Sequence, residues 1–210
     1  MTGAGTWDLM TLMHEGGAMM WGLLALSIVA LATALERAYV LRRARLDFES
    51  FARQLRHLLL VDRSVKKALE LSSIAPGPVA RVASVALRRF EKSPQQLEKL
   101  MIRQAQREQR ALNRRLGILA MIATTAPLLG FLGTVTGMML SFDSLASHGI
   151  GNPGVVAIGI KEALTTTAAG LAVAVPVQIV YNLLAGRVED ITGDIEAVGN
   201  FLLECREEIG

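Results

Sequence analysis

The chain has 210 residues, is 51% hydrophobic with a mean hydropathy of +0.39, and carries a formal net charge of +3. That length would suit one or two soluble domains, but long uncharged apolar runs point to a membrane instead. The small net charge hides a partition: 19 of the 22 Lys and Arg residues, but only 8 of the 19 acids, lie between Glu36 and Arg115. A basic excess beside apolar runs marks a cytoplasmic loop and displaces nucleic-acid binding as the reading of that block.

Residues 1–16 are acidic and lack Lys and Arg. With no basic n-region, and with Asp8, His14 and Glu15 ahead of the first apolar run, they do not read as a signal peptide. Residues 17–35 are uncharged and close to the length of about 20 residues that a bilayer core of about 30 Å requires. Trp21 and Tyr39 suit the two interfaces. Glu36, Arg37, Arg42, Arg43 and Arg45 then place that end in the cytoplasm and the N-terminus outside.

Residues 36–115 are expected to be a basic, helical cytoplasmic region. Phe48, Phe51, Leu55, Leu58 and Leu59 recur at helical spacing. Asp62 is a candidate cap for a helix reaching Leu71, and Ala75-Pro76-Gly77-Pro78 breaks it. A third helix is expected over Val79–Phe90. Ser93-Pro94-Gln95-Gln96 is a start signal: Ser93 as N-cap, Pro94 at the first position, Gln96 closing a capping box. Because no glycine or proline follows until Gly117, one helix is expected from Pro94 to about Phe142. Residues 116–142 would be its membrane part, entered at Arg114 and Arg115 and kinked at Pro127.

Residues 143–154, rich in Gly and free of Lys and Arg, form a short outer loop, with Asn152 and Pro153 as cap and first-turn pair. Residues 155–184 are the third span, kinked at Pro176. Residues 185–210 read as an acidic amphipathic tail with Val188, Ile191, Ile195, Val198 and Leu202 on one face. The lone Cys205 permits no intrachain disulfide and reads as an unreactive thiol. His14, His57 and His148 are scattered. No nucleophile–base pair or metal set is legible, and neither an enzyme nor a cofactor or metal site is expected.

Two of the three spans are not plain lipid-facing sequence. Gly130, Gly133, Thr134, Gly137 and Ser141 share one face of the second, and Gly159, Glu162, Thr165, Thr166 and Ala169 one face of the third, with Gly170 adjoining. Small faces let helices approach closely, which is a structural use in itself. An acid such as Glu162 is costly in hydrocarbon and marks a functional candidate. It equally reads as a rim carboxylate paired with Lys161 or with an Arg of a neighbour. Three consecutive threonines sample most of the helix circumference, so at least one faces the protein interior. Its hydroxyl either serves chemistry or bonds the preceding turn.

Three motifs occur in order: Ala126-Pro127-Leu128-Leu129-Gly130-Phe131-Leu132-Gly133-Thr134-Val135-Thr136-Gly137-Met138, then Gly159 to Leu171, then Pro176 to Asn182. The combination closely resembles the ExbB/TolQ family, most of all ExbB, and is more distantly similar to the MotA flagellar stators. The resemblance implies an all-α protein with three transmembrane helices and long helices extending into the cytoplasm of a bacterial inner membrane. It implies a proton-conducting motor subunit that couples the proton motive force to outer-membrane transport or envelope work. A homopentamer is implied around single-span ExbD/TolR-like partners, with a TonB/TolA-like energy transducer and membrane lipids as further contacts. Carried over by motif, Thr134 and Thr167 match hydroxyls near the proton path and Glu162 the third-span acid; Lys161 stands where many members are apolar or small. Asp143, Glu162 and Glu36 are the acids in or beside these spans, and none lies at mid-membrane depth. A partner must therefore bring the central carboxylate, which threonine hydroxyls can bond. The alternative is a structural membrane scaffold without ion flux.

Overall fold

The computed structural model describes residues 13, 16–44, 46–148 and 153–209. Asp8, His14, Glu15, Arg45 and the Asn152 cap lie outside the described residues. The fold is all-α, with no strand among the described residues. The helices are α1 (Gly17–Ala44), α2 (Phe48–Arg56), a π-helical turn (His57–Val61), α3 (Val65–Ile74), α4 (Pro78–Leu87), α5 (Pro94–Asn113), α6 (Leu116–His148) and α7 (Pro153–Ile209). Of these, α1, α6 and α7 are long and apolar enough to cross a membrane.

The chain forms two compact units, one from Met1–Leu35 with Leu116–Asn182, the other from Glu36–Arg115 with Leu183–Gly210. In the first, α1 lies on α6 and α7. Met13, Met20, Leu23, Ala126 and Ala174 are buried together, with Leu24, Leu26, Leu129, Ala169 and Val173 packed around them. Trp21, Leu31, Phe131, Leu140, Leu164 and Ile179 are exposed, as side chains are on helices whose surroundings are hydrocarbon or other copies.

The second unit has an apolar core of the kind water drives together. Phe51, Leu55 and Leu59 are buried, as the α2 stripe predicts, and so are Val188, Ile191, Ile195, Val198 and Leu202 of α7. Gly77, at φ 96°, turns the chain from α3 into α4. A Cβ there would sit 2.7 Å from Ala44 O, so only glycine fits. Glu108 is buried and receives Arg81 Nε at 2.9 Å, Arg81 Nη2 at 2.6 Å and Gln104 Nε2 at 2.8 Å. Glu36 accepts from Arg37 and Arg115. Arg115, then Arg37, hold its carboxyl below the ordinary value, so what this cluster adds is present at neutral pH and lost as pH falls through that lowered value. Cys205 is buried, and burial followed by the nearby Glu208 pushes its thiol up to about 11, which leaves it inert at neutral pH.

Several expectations are corrected. There is no single helix from Pro94 to Phe142: α5 stops at Asn113, Arg114 leaves the helical region, and Arg115 adopts φ 68° before α6 begins. A left-handed arginine is unusual, and its guanidinium is held by Glu36. The cap of α3 is Ser64, which accepts from Lys67 N at 3.4 Å, while Asp62 pairs with Lys67 Nζ at 3.3 Å and closes the preceding turn. The helix expected over Val79–Phe90 runs Pro78–Leu87, a turn short of Phe90. Ser93 is the N-cap of α5 by position, but makes no side-chain cap bond, so the capping box is not formed. The stretches expected as third span and helical tail both lie on α7, of 57 residues; this corrects neither, since nothing in the sequence between Asn182 and Val188 forces a stop.

The Arg81–Glu108 pair is asymmetric, since the Arg81 side chain is 55% exposed and that of Glu108 only 9%. Arg81→Ala would strand a buried carboxylate with Gln104 alone, at a cost of about 2–4 kcal/mol. Glu108→Leu leaves the arginine in water and is expected to cost clearly less. Thermal unfolding of the two variants in detergent, with equal losses, would contradict this ordering.

Candidate functional site between α6 and α7

The small residues of α6 and α7 meet backbone to backbone. A Cβ on Gly130 would sit 2.9 Å from Thr166 O and 3.2 Å from Gly170 Cα; one on Gly170 would sit 2.7 Å from Ala126 O and 3.0 Å from Gly130 Cα. Further along, Gly137 and Gly159 face each other's carbonyl oxygens at 2.9 Å by the same measure. At Gly133 a methyl would be driven into the Thr166 side chain, which is 1% exposed. The helices touch where Gly130, Gly133 and Gly137 of α6 and Gly159 and Gly170 of α7 lack side chains, as small-residue faces permit in a membrane.

That approach brings Thr134 and Thr167 together. Their hydroxyls hydrogen-bond each other across the helix pair. Thr134 Oγ1 also lies 3.1 Å from Ala163 O, and Thr167 Oγ1 3.1 Å from Gly130 O, each carbonyl belonging to the opposite helix. These three contacts share two hydroxyl protons. Either Thr134 donates to Thr167, which donates to Gly130 O, or Thr167 donates to Thr134, which donates to Ala163 O. Both arrangements use the same heavy-atom positions. Each also leaves oxygen lone pairs to accept from water or a protonated acid.

Four other hydroxyls bond their own helices, and of these Ser141 Oγ also reaches Val156 O of α7 at 3.5 Å. Thr166 Oγ1 donates to Ala163 O at 2.9 Å, Thr136 Oγ1 to Leu132 O at 3.1 Å, Thr124 Oγ1 to Met121 O at 2.9 Å, and buried Ser141 Oγ to Gly137 O at 2.9 Å. Of the three threonines, the fully buried one is thus Thr166, used for packing over Gly133, while half-buried Thr167 makes the interhelical bond.

Glu162 is placed elsewhere. Its carboxylate lies against Gly17 at the first turn of α1, where a Cβ would sit 3.2 Å from Glu162 Cδ. Gly17 has φ 61°, so glycine is favoured there twice over. A carboxylate beside the free amides of a helix start is electrostatically favourable. No spacing rule indicates this contact, because its residues lie 145 positions apart in the sequence. Pro127 and Pro176 both sit inside helices that continue through them. Pro176 lines an apolar crevice with Ser27, Ala30, Leu31 and Val173. No His, Cys, Asp and Glu cluster suited to a metal ion occurs among the described residues.

Gly130→Val and Gly170→Val should separate α6 from α7 and lower the melting temperature, whereas Gly193→Ala, with nothing within 4 Å of the added carbon, should stabilise its helix by about 0.5–1 kcal/mol. Melting curves in detergent check both; an unchanged melting temperature for Gly130→Val would refute the close approach.

The MotA/TolQ/ExbB proton channel family model matches residues 62–197. The chain is similar to an ExbB-like biopolymer transport protein of Synechocystis sp., 34% identical over 195 residues, covering 90% of this chain and 75% of the relative. It is 30% identical over 194 residues to the biopolymer transport protein ExbB of Neisseria meningitidis, covering 86% of each. It is also similar to the Tol-Pal system protein TolQ of Pseudomonas aeruginosa, 42% identical over 87 residues, 41% of this chain and 38% of that one. With this match across most of its length, and with three membrane-length helices, two of which pack glycine faces around a threonine pair, the chain is a membrane protein of the MotA/TolQ/ExbB proton channel family.

Proposed function

We propose that this protein is the proton-conducting subunit of a bacterial inner-membrane motor that couples the proton motive force to outer-membrane transport or envelope work. The observation that carries the reading is the Thr134–Thr167 hydroxyl pair, held between opposed carbonyls in spans that contain no Asp or Glu between Leu116 and Phe142 or between Ala163 and Val188. A proton pathway needs a group that alternates between charged and neutral forms. In this reading a single-span ExbD/TolR-like partner brings that carboxylate, and the hydroxyl pair bonds it in either state by reversing its donors. The chain itself forms a ring, of five copies by resemblance, in contact with lipid, and the work passes to a TonB/TolA-like transducer. The relatives' names, biopolymer transport and Tol-Pal system, favour this class of work.

A second reading is a scaffold without ion flux. It is favoured by the hydroxyl pair's own bonds to backbone carbonyls, which would serve as interhelical glue without any partner. Thr134→Val and Thr167→Val separate the two. They are near in volume and remove only the hydroxyl, so the motor reading expects a normally assembled complex with at least a tenfold loss of proton-driven work, a barrier change of about 1.4 kcal/mol. Full activity in both variants would return the pair to a packing role. For Glu162 the proposal is that it secures the start of α1 rather than passing protons. Glu162→Gln should then lower the melting temperature but leave activity per assembled complex intact; abolished activity in a stable complex would make it a proton carrier.

The proposed orientation puts residues 143–154 outside and residues 185–210 in the cytoplasm. Buried Cys205 will not label from either side, so the test uses a Cys205→Ala background with Ser147→Cys or Glu204→Cys, both at exposed positions. An impermeant maleimide on spheroplasts should modify only the first; the reverse pattern overturns the orientation.

A further inference from the structure

A groove of about 270 Å³ opens on the second unit where α5 passes α7. Met101, Ile102, Ala105, Ile195 and Leu203 form its walls over Val82 of α4, and Ile102 is 47% exposed. Glu98 and Glu196 stand on the rim, exposed, and neither is ion-paired among the described residues. The same unit also carries a projection. The π-helical turn ends in Leu60, 37% exposed, and Val61, 68% exposed. The chain then turns through Arg63 at φ 49°, an uncommon conformation for a residue with a side chain. Arg63 and Lys66 follow Val61 as exposed cations that pair with no acid among the described residues.

Groove and projection match in three respects. One is an apolar hollow and the other an apolar knob. One has acidic margins and the other basic ones. They also lie at one level: Arg56, about a turn before the knob, sits 5.3 Å from the Phe201 ring centroid, two residues from Leu203 at the groove's end. The knob is formed by the turn that precedes α3 and the groove by α5 and α7 over α4, so the two share no residue. Two different, complementary surfaces on one chain make a head-to-tail contact, which closes into a ring when the rotation allows. We infer that Leu60 and Val61 of one copy seat in the Ile102–Leu203 groove of the next, with Arg63 and Lys66 against Glu98 and Glu196. The inference rests on the ring proposed above and assigns its contact outside the membrane. The occupant is a second copy because both halves of the match are on this chain.

The test uses the full-length protein in native membranes, with Cys205→Ala throughout. One tagged form carries Val61→Cys and a differently tagged form Leu203→Cys; the two are co-expressed and treated with a short bismaleimide. A cross-linked dimer bearing both tags, absent when either form is expressed alone, is the expected result. Adding Glu98→Lys and Glu196→Lys to the groove copy should abolish most of that dimer, and Arg63→Glu with Lys66→Glu on the knob copy should restore it. Absence of the mixed dimer from a complex of unchanged size overturns the inference and leaves the ring standing, as does capture of another protein at Leu203→Cys instead. A monomeric complex overturns both the inference and the ring. A dimer indifferent to the charge reversals overturns the assigned pairing.

Discussion

Contact between the backbones of α6 and α7 is the constraint on which the rest of the first unit depends. Inside hydrocarbon, apolar side chains gain nothing by leaving lipid for protein, so association rests on close packing and polar contacts. Gly130 with Gly170, and Gly137 with Gly159, supply the closeness. Only at that separation can a hydroxyl on one helix reach a carbonyl on the other, as Thr134 and Thr167 both do. The polar contacts follow from the missing side chains.

The second unit obeys a different solvent. There α7 presents Val188, Ile191, Ile195, Val198 and Leu202 to a core assembled by burial, and a nearly buried carboxylate, Glu108, is tolerated because Arg81 and Gln104 meet it. One unbroken helix thus carries a glycine–threonine face along one stretch and a leucine–valine–isoleucine face along another.

Much of this was legible in the sequence because periodicity reports it directly. The apolar runs, the α2 stripe, the tail stripe and the glycine face all repeat at helical spacing. Family motifs singled out Thr134 and Thr167 separately, and periodicity indicated only that some threonine must face inward; that the two hydroxyls bond each other is seen only in the structure. What escaped depends on contacts between distant segments. Arg115 adopts a left-handed conformation beside Glu36, and no local signal ends a helix at Asn113 in a stretch without glycine or proline. The Ser93 signal was correct in position, yet its side chain makes no cap bond. Glu162 against Gly17 joins residues that no spacing argument connects.

Three hydrogen-bond contacts divided among two protons leave the Thr134–Thr167 pair with two nearly equivalent states. Passing between them requires only concerted rotation of two hydroxyls about their C–O bonds, and no heavy atom need be displaced. The electric dipole of the chain of bonds reverses in the process. A rigid, close-packed helix pair therefore contains a highly polarisable element, one that answers to the charge of whatever stands beside it while the scaffold stays still.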